Sequence, residues 1–110
     1  MAVHSTQLAT VNAVGTSYSV AYTVPANKRT IVKSIVAWNT FAGANTLQVR
    51  IRSGSTTLCT FEFHLATTGA AGDTIYELPW IVLHTGQTLE LAVGSSSASV
   101  IISGAELILS

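Results

Sequence analysis

The sequence predicts an all-β fold, two antiparallel sheets packed as a sandwich, and three observations carry that expectation. Apolar residues recur at every second position in one segment after another, which is the strand period. β-branched residues are spread through the whole chain, and no segment carries a helical period. Turn-forming runs rich in Gly, Ser, Asn and Pro interrupt the pattern every 8–15 residues or so, about the spacing expected of a sandwich or barrel.

The elements follow in chain order. Gln7 to Val14 is a weak first strand. The alternative for Ala2 to Val14 is an arm that adds to the sheet edge of a neighbouring subunit. Tyr18, Val20, Tyr22 and Val24 then alternate with Ser17, Ser19, Ala21 and Thr23, which puts the four larger residues on one face. After the Pro25-Ala26-Asn27-Lys28 turn, Thr30 to Asn39 carries Ile31, Val32, Ile35, Val36 and Trp38 and reads as a more buried strand. Beyond Ala42-Gly43-Ala44-Asn45, Leu47, Val49 and Ile51 alternate with Gln48, Arg50 and Arg52. Ser53-Gly54-Ser55 turns the chain into Cys59, Phe61, Phe63 and Leu65, separated by Thr60, Glu62 and His64.

Thr68 to Asp73 is a loop, and Ile75 to Leu83 is a second apolar strand. Pro79 lies inside it and lacks an amide donor, which marks an edge, a bulge or a strand start. Thr85-Gly86-Gln87 precedes the alternation of Leu89, Leu91 and Val93 with Thr88, Glu90 and Ala92. Gly94 to Ser99 reads as a hairpin tip, and Val100 to Leu109 closes the chain as a last buried strand. About eight strands in one domain spanning 1–110 is the number of a jelly roll, which is the expected architecture. Strand count by itself does not separate it from an immunoglobulin-like order.

Composition bounds the function. The 110 residues are 48% hydrophobic but only 9% charged, with a formal net charge of zero. Few charges and no net charge resist self-association poorly, so a life in an assembly is expected. Five Lys and Arg scattered along the chain make no basic footprint for nucleic acid. No run reaches the roughly 18 apolar residues of a membrane span. The opening Met1 to Gln7 has neither the basic start nor the apolar run of a signal peptide, so folding in a cytoplasm is expected. Cys59 is the one cysteine, which precludes an internal disulfide.

The residues that carry chemistry are dispersed. His4, His64 and His84 stand in no zinc spacing, and Asp73 is the one Asp, so neither zinc nor calcium is expected. Glu62 and Glu90 sit opposite apolar faces and should be exposed. Cys59 shares a face with Phe61 and Phe63, so a buried, inert thiol is expected. There is no G-x-S-x-G turn and no Gly-rich phosphate loop. No cofactor and no catalytic site are expected.

Trp38 and Trp80 lie in apolar strands and read as core residues; stacking on a sugar ring is the alternative that would make the chain a glycan-binding module. Phe41, beside a turn, is a candidate loop anchor. Lys33, Arg50 and Arg52 project opposite apolar neighbours, and Lys28 and Arg29 follow the Pro25 turn. Arginine forks pair readily with carboxylates at interfaces. Phe41, Lys28, Arg29, Lys33, Arg50 and Arg52 are therefore the candidate interface residues.

Tyr22-Thr23-Val24-Pro25-Ala26-Asn27-Lys28-Arg29-Thr30-Ile31-Val32-Lys33-Ser34-Ile35 forms one extended pattern. Leu78-Pro79-Trp80-Ile81-Val82-Leu83-His84-Thr85-Gly86-Gln87-Thr88-Leu89-Glu90-Leu91 and the closing Ser103-Gly104-Ala105-Glu106-Leu107 form two more. Together, over residues 22–107, they resemble small β-sandwich virion proteins of tailed bacteriophages, among them head decoration or cement proteins with jelly-roll folds. The resemblance implies a virion location and a non-enzymatic role in stabilising the head. It further implies a homo-oligomer, dimer or trimer, and the major capsid protein or another virion protein as partner. It carries over no catalytic residue.

Overall fold

The computed structural model describes the backbone of residues 2–39, 45–65, 74–95 and 98–109, with side chains for all of these except 2–5 and 74–80. Among the described residues eight strands form: β1 (Ala2–Val11), β2 (Ser19–Thr23), β3 (Lys28–Asn39), β4 (Asn45–Ser53), β5 (Thr56–Leu65), β6 (Thr74–Leu83), β7 (Thr88–Val93) and β8 (Ala98–Ile108). They make two four-stranded antiparallel sheets, ordered β1-β8-β3-β6 and β2-β7-β4-β5.

That order has a simple origin. β1 pairs with β8, β2 with β7, β3 with β6 and β4 with β5. The chain is thus one long hairpin folded at the β4–β5 turn, whose two arms run side by side and wrap round the core. This nested pairing is the jelly roll, and it settles the strand order that strand count leaves open.

Alternation fills the space between the sheets. Val32, Ile35 and Ala37 of β3 and Val100 and Ile102 of β8 face Leu47, Val49 and Ile51 of β4 and Leu89, Leu91 and Val93 of β7, all buried. Fully burying a side chain of this size contributes about 1.5–3 kcal/mol. These residues therefore hold the sheets together and fix which face of each strand looks inward.

Four register shifts set the phase of that alternation. An extra residue stands in β1 at Leu8, in β2 at Ala21, in β3 at Lys33 and in β5 at Leu58. A bulge leaves one residue unpaired and moves all later side chains to the other face. In β3 the buried residues are Thr30 and Val32 before Lys33, then Ile35, Ala37 and Asn39 after it. In β2 the shift at Ala21 sends Val20 opposite Glu90 on the outer face and Tyr22 opposite Leu89 on the inner one. Tyr18 and Val20 therefore do not share a face with Tyr22 and Val24, contrary to unbroken alternation.

The Leu8 and Lys33 bulges flank β8 at one level, around Ser103 and Gly104. There the backbone of β3 closes on β8, and a Cβ at position 104 would stand 2.0 Å from the Ile31 carbonyl oxygen. Only glycine fits. Pro79 behaves as its chemistry requires: β6 is an edge strand, and its ladder with β3 breaks between Ile81 and Glu77, around that residue. Asn27, at φ 59°, and Gly86, at φ 83°, supply the left-handed positions of the β2–β3 and β6–β7 turns. β1 pairs with β8 from Ala2 to Val11.

Candidate interaction surfaces

Two polar clusters use the charged residues of the sandwich. The first crosses between the sheets. Tyr22 on β2 donates its hydroxyl to Glu106 Oε2 on β8 at 2.6 Å, and the Thr30 hydroxyl on β3 lies 2.7 Å from the same phenol oxygen. The phenol has one proton and gives it to the carboxylate, so Thr30 is the donor in the second bond. Lys28 Nζ pairs with Glu106 Oε1 at 3.2 Å. Burial and then the hydrogen bond to Glu106 push the Tyr22 phenol up to about 12; the Thr30 hydrogen bond opposes them, and the Glu106 charge adds the smallest push. The cluster pins the end of one sheet to the other, and the neutral phenol is the form that fits.

The second cluster lies on the outer face of the second sheet. Arg50 Nε donates to Glu90 Oε1 at 2.6 Å, and its guanidinium carbon stands 3.8 Å from the centre of the Tyr18 ring. Tyr18 Oη in turn approaches Gln48 Oε1 at 3.5 Å. Glu90 is only 8% exposed even though it faces outward. The expectation that Glu90 is solvated is therefore corrected: Arg50 and Val20, its two cross-strand neighbours, flank it, and an ion pair with Arg50 makes the burial tolerable. Glu62 is exposed, as its alternation implies.

A second correction concerns Cys59. Its thiol is free and exposed, not buried. It does lie on the inward-pointing side of β5 with Phe61 and Phe63, but β5 is the outer strand of its sheet, and its first five residues, Thr56 to Thr60, are all exposed. The periodicity reports the face correctly; what covers that face is a tertiary matter. Trp38 is likewise outside the core: it is half-buried on the outer side of β3, because the Lys33 bulge hands the inner side to Ala37 and Asn39. The side chain of Trp80 lies outside the described residues.

The candidate interface residues do not gather. Phe41 lies outside the described residues. Lys28 is engaged with Glu106, and Arg50 with Glu90. Arg52 folds into its own hairpin, where Nη2 donates to the Ser55 carbonyl and Nε is buried without a partner. Arg29 and Lys33 are exposed on β3, in the other sheet from Arg50 and Arg52.

Among the described residues, large aliphatic side chains are exposed at positions that the sequence pattern does not mark. Val20 is 56% exposed, Leu58 51%, Val82 49% and Ile108 41%. The first three lie on the edge strands β2, β5 and β6, and Ile108 ends β8. Hydropathy could not flag them, since the same residue types fill the core; strand order is what makes them peripheral. Among the described residues there is no cleft or cavity, no group of three or more His, Cys, Asp and Glu side chains, and no helix long and apolar enough to cross a membrane. The chain matches no protein-family model and no curated protein.

Proposed function

We propose that the protein is a non-enzymatic structural component of a tailed-phage virion, a capsid decoration protein that docks as a homo-oligomer on the major capsid protein. The observation that carries this reading is the placement of exposed aliphatic side chains along the rim of a nearly uncharged jelly roll. A decoration protein must add contact area between neighbours without costly ordering, and a sandwich held by nested strand pairs loses little freedom on docking. Many identical copies on one shell then add avidity to a modest contact. The resemblance over residues 22–107 supplies the virion context.

The test is co-sedimentation of the purified protein with undecorated capsids. Saturable binding at micromolar protein is the expected result, and protein left wholly in the supernatant defeats the reading. One observation favours a second reading, a glycan-binding module: jelly rolls also serve as lectins, and Trp38 stands half-buried outside the core, where an indole can stack on a sugar. Quenching or a shift of tryptophan emission by a panel of glycans would support it. Emission unmoved across the panel removes it.

A further inference from the structure

An edge strand presents a row of unpaired backbone N–H and C=O groups, and proteins usually blunt it with Lys, Pro, a bulge or short length. Three edges here are blunted. β2 has five residues and a bulge at Ala21, β1 is bulged at Leu8 in mid-strand, and β6 contains Pro79 and a broken register. β5 is different. It has ten residues with no Lys, Arg or Pro, its one bulge at Leu58 lies near its start, and no described strand pairs with its outer side. From Cys59 to Leu65 it runs in unbroken register with β4.

We infer that this edge binds β5 of a second copy of the chain, antiparallel, about a two-fold axis that passes through Phe63 normal to the sheet. Opposed residues in a ladder must share a face, so the axis has to pass through a residue and not between two. Centred on Glu62, the pairing sets carboxylate against carboxylate; centred on His64, imidazole against imidazole. Centred on Phe61, it draws the Leu58 bulge of each copy into the ladder. Centred on Phe63, it sets Glu62 opposite His64 of the second copy, once on each side of the axis.

In that register Phe61 faces Leu65 of the second copy, and Phe63 faces its own counterpart. Glu62 and His64 are both exposed on the outer face, where they lie opposite Gln48 and Thr46 of β4. The complementarity therefore comes from the strand's own sequence, Phe61-Glu62-Phe63-His64-Leu65, and from the symmetry. The two second sheets become one sheet of eight strands, a strand-addition contact in which backbone bonds give affinity and the side-chain pairs give register.

This inference rests on the self-association part of the proposed function and on no other part of it. The test is sedimentation equilibrium of the full chain and of charge variants, with circular dichroism confirming that each is folded. Wild type should form a dimer. Glu62→Lys removes the two carboxylates that face His64 across the axis and should raise the dimer dissociation constant about tenfold. The double variant Glu62→Lys/His64→Glu sets an ammonium opposite a carboxylate on each side of the axis and should return it to within about threefold of wild type. Amides of residues 60–65 should gain hydrogen-exchange protection as protein concentration rises.

A wild-type chain that stays monomeric at about millimolar concentration overturns the inference. So does a dimer indifferent to the charge variants, or protection that appears on β1 or β6 instead. No capsid enters this experiment. A dimer of the stated register that ignores capsids defeats the decoration reading alone, and a capsid-binding monomer defeats this inference alone.

Discussion

Replacing Gly104 with alanine adds one methyl group where the fold has no room for it. The added Cβ would lie 2.0 Å from the Ile31 carbonyl oxygen, 3.0 Å from its carbonyl carbon and 3.2 Å from Leu8 Cδ1. A carbon settles beside a carbonyl oxygen at about 3.3–3.6 Å, so the two must separate by more than about 1 Å. Ile31 cannot swing aside, because β3 is paired on both sides, with β8 and β6. Overpacking that side chains absorb costs about 1–3 kcal/mol, and here backbone must absorb it, so the cost should reach at least the top of that range. The stiffer unfolded chain returns about 0.4–1 kcal/mol. A net loss of about 2–3 kcal/mol is expected, from a total that is about 5–15 kcal/mol for a domain this size. At about 4–8 °C per kcal/mol, the midpoint should fall by roughly 10–20 °C. Urea unfolding at fixed protein concentration measures it, with a lower midpoint and an unchanged slope. Gly94→Ala is the control, since its Cβ would meet a side-chain atom, Thr46 Oγ1, at 3.1 Å, and that hydroxyl can turn away. The reasoning fails if Gly104→Ala stays within about 0.5 kcal/mol of wild type, or if Gly94→Ala costs more.

Arg50→Ala leaves the nearly buried Glu90 without its counter-charge and uncovers the Tyr18 ring. A loss of about 2 kcal/mol is expected in urea unfolding, below the range for fully buried pairs because Arg50 is partly solvated. Tyr22 gives a pH signature. Its phenol is raised in the folded state, so its contribution is complete below the ordinary value near 10.0 and is lost as pH climbs toward about 12. Unscreened, that shift is about 2.7 kcal/mol; partial exposure cuts it to about 1 kcal/mol. Tyr22→Phe should remove that alkaline loss, read as the difference between wild-type and variant stability from pH 9 to 12 or so. Cys59 in the folded protein should react with a disulfide reagent as fast as an unstructured thiol, and Cys59→Ser should change stability by less than about 0.5 kcal/mol.

Alternation and apolar runs place seven of the eight described strands to within a few residues, because burial on one face is a local property, whereas the first strand is expected over Gln7 to Val14 and forms over Ala2–Val11. Periodicity could not locate the bulges. Ala21 and Lys33 look like ordinary members of their runs, and only pairing with β7 or β8 shows that each is the extra residue. Each bulge reverses the faces beyond it, which is why Trp38 lies outside the core and why Tyr22 reaches Glu106 across the sandwich. Coverage was illegible for a related reason. Cys59 and Glu90 were each assigned the right face, but exposure depends on whether a neighbour extends over that face. β5 runs out past its cover at Cys59, whereas Arg50 and Val20 close over Glu90.

The same distinction bears on how such a molecule meets a partner. Lys28 and Arg50 are committed to carboxylates within the chain, and Arg52 to its own turn. These charges serve to hold the sandwich together, and apolar area and backbone hydrogen bonds remain for a contact with a partner. A jelly roll offers both at its rim, where ladders end and where Val20, Leu58 and Val82 are exposed. A contact made there would be side-on and would extend a sheet from one molecule into the next. The low charge of the chain is compatible with such rim-to-rim contact, since like charges along an edge are the usual means by which proteins prevent it.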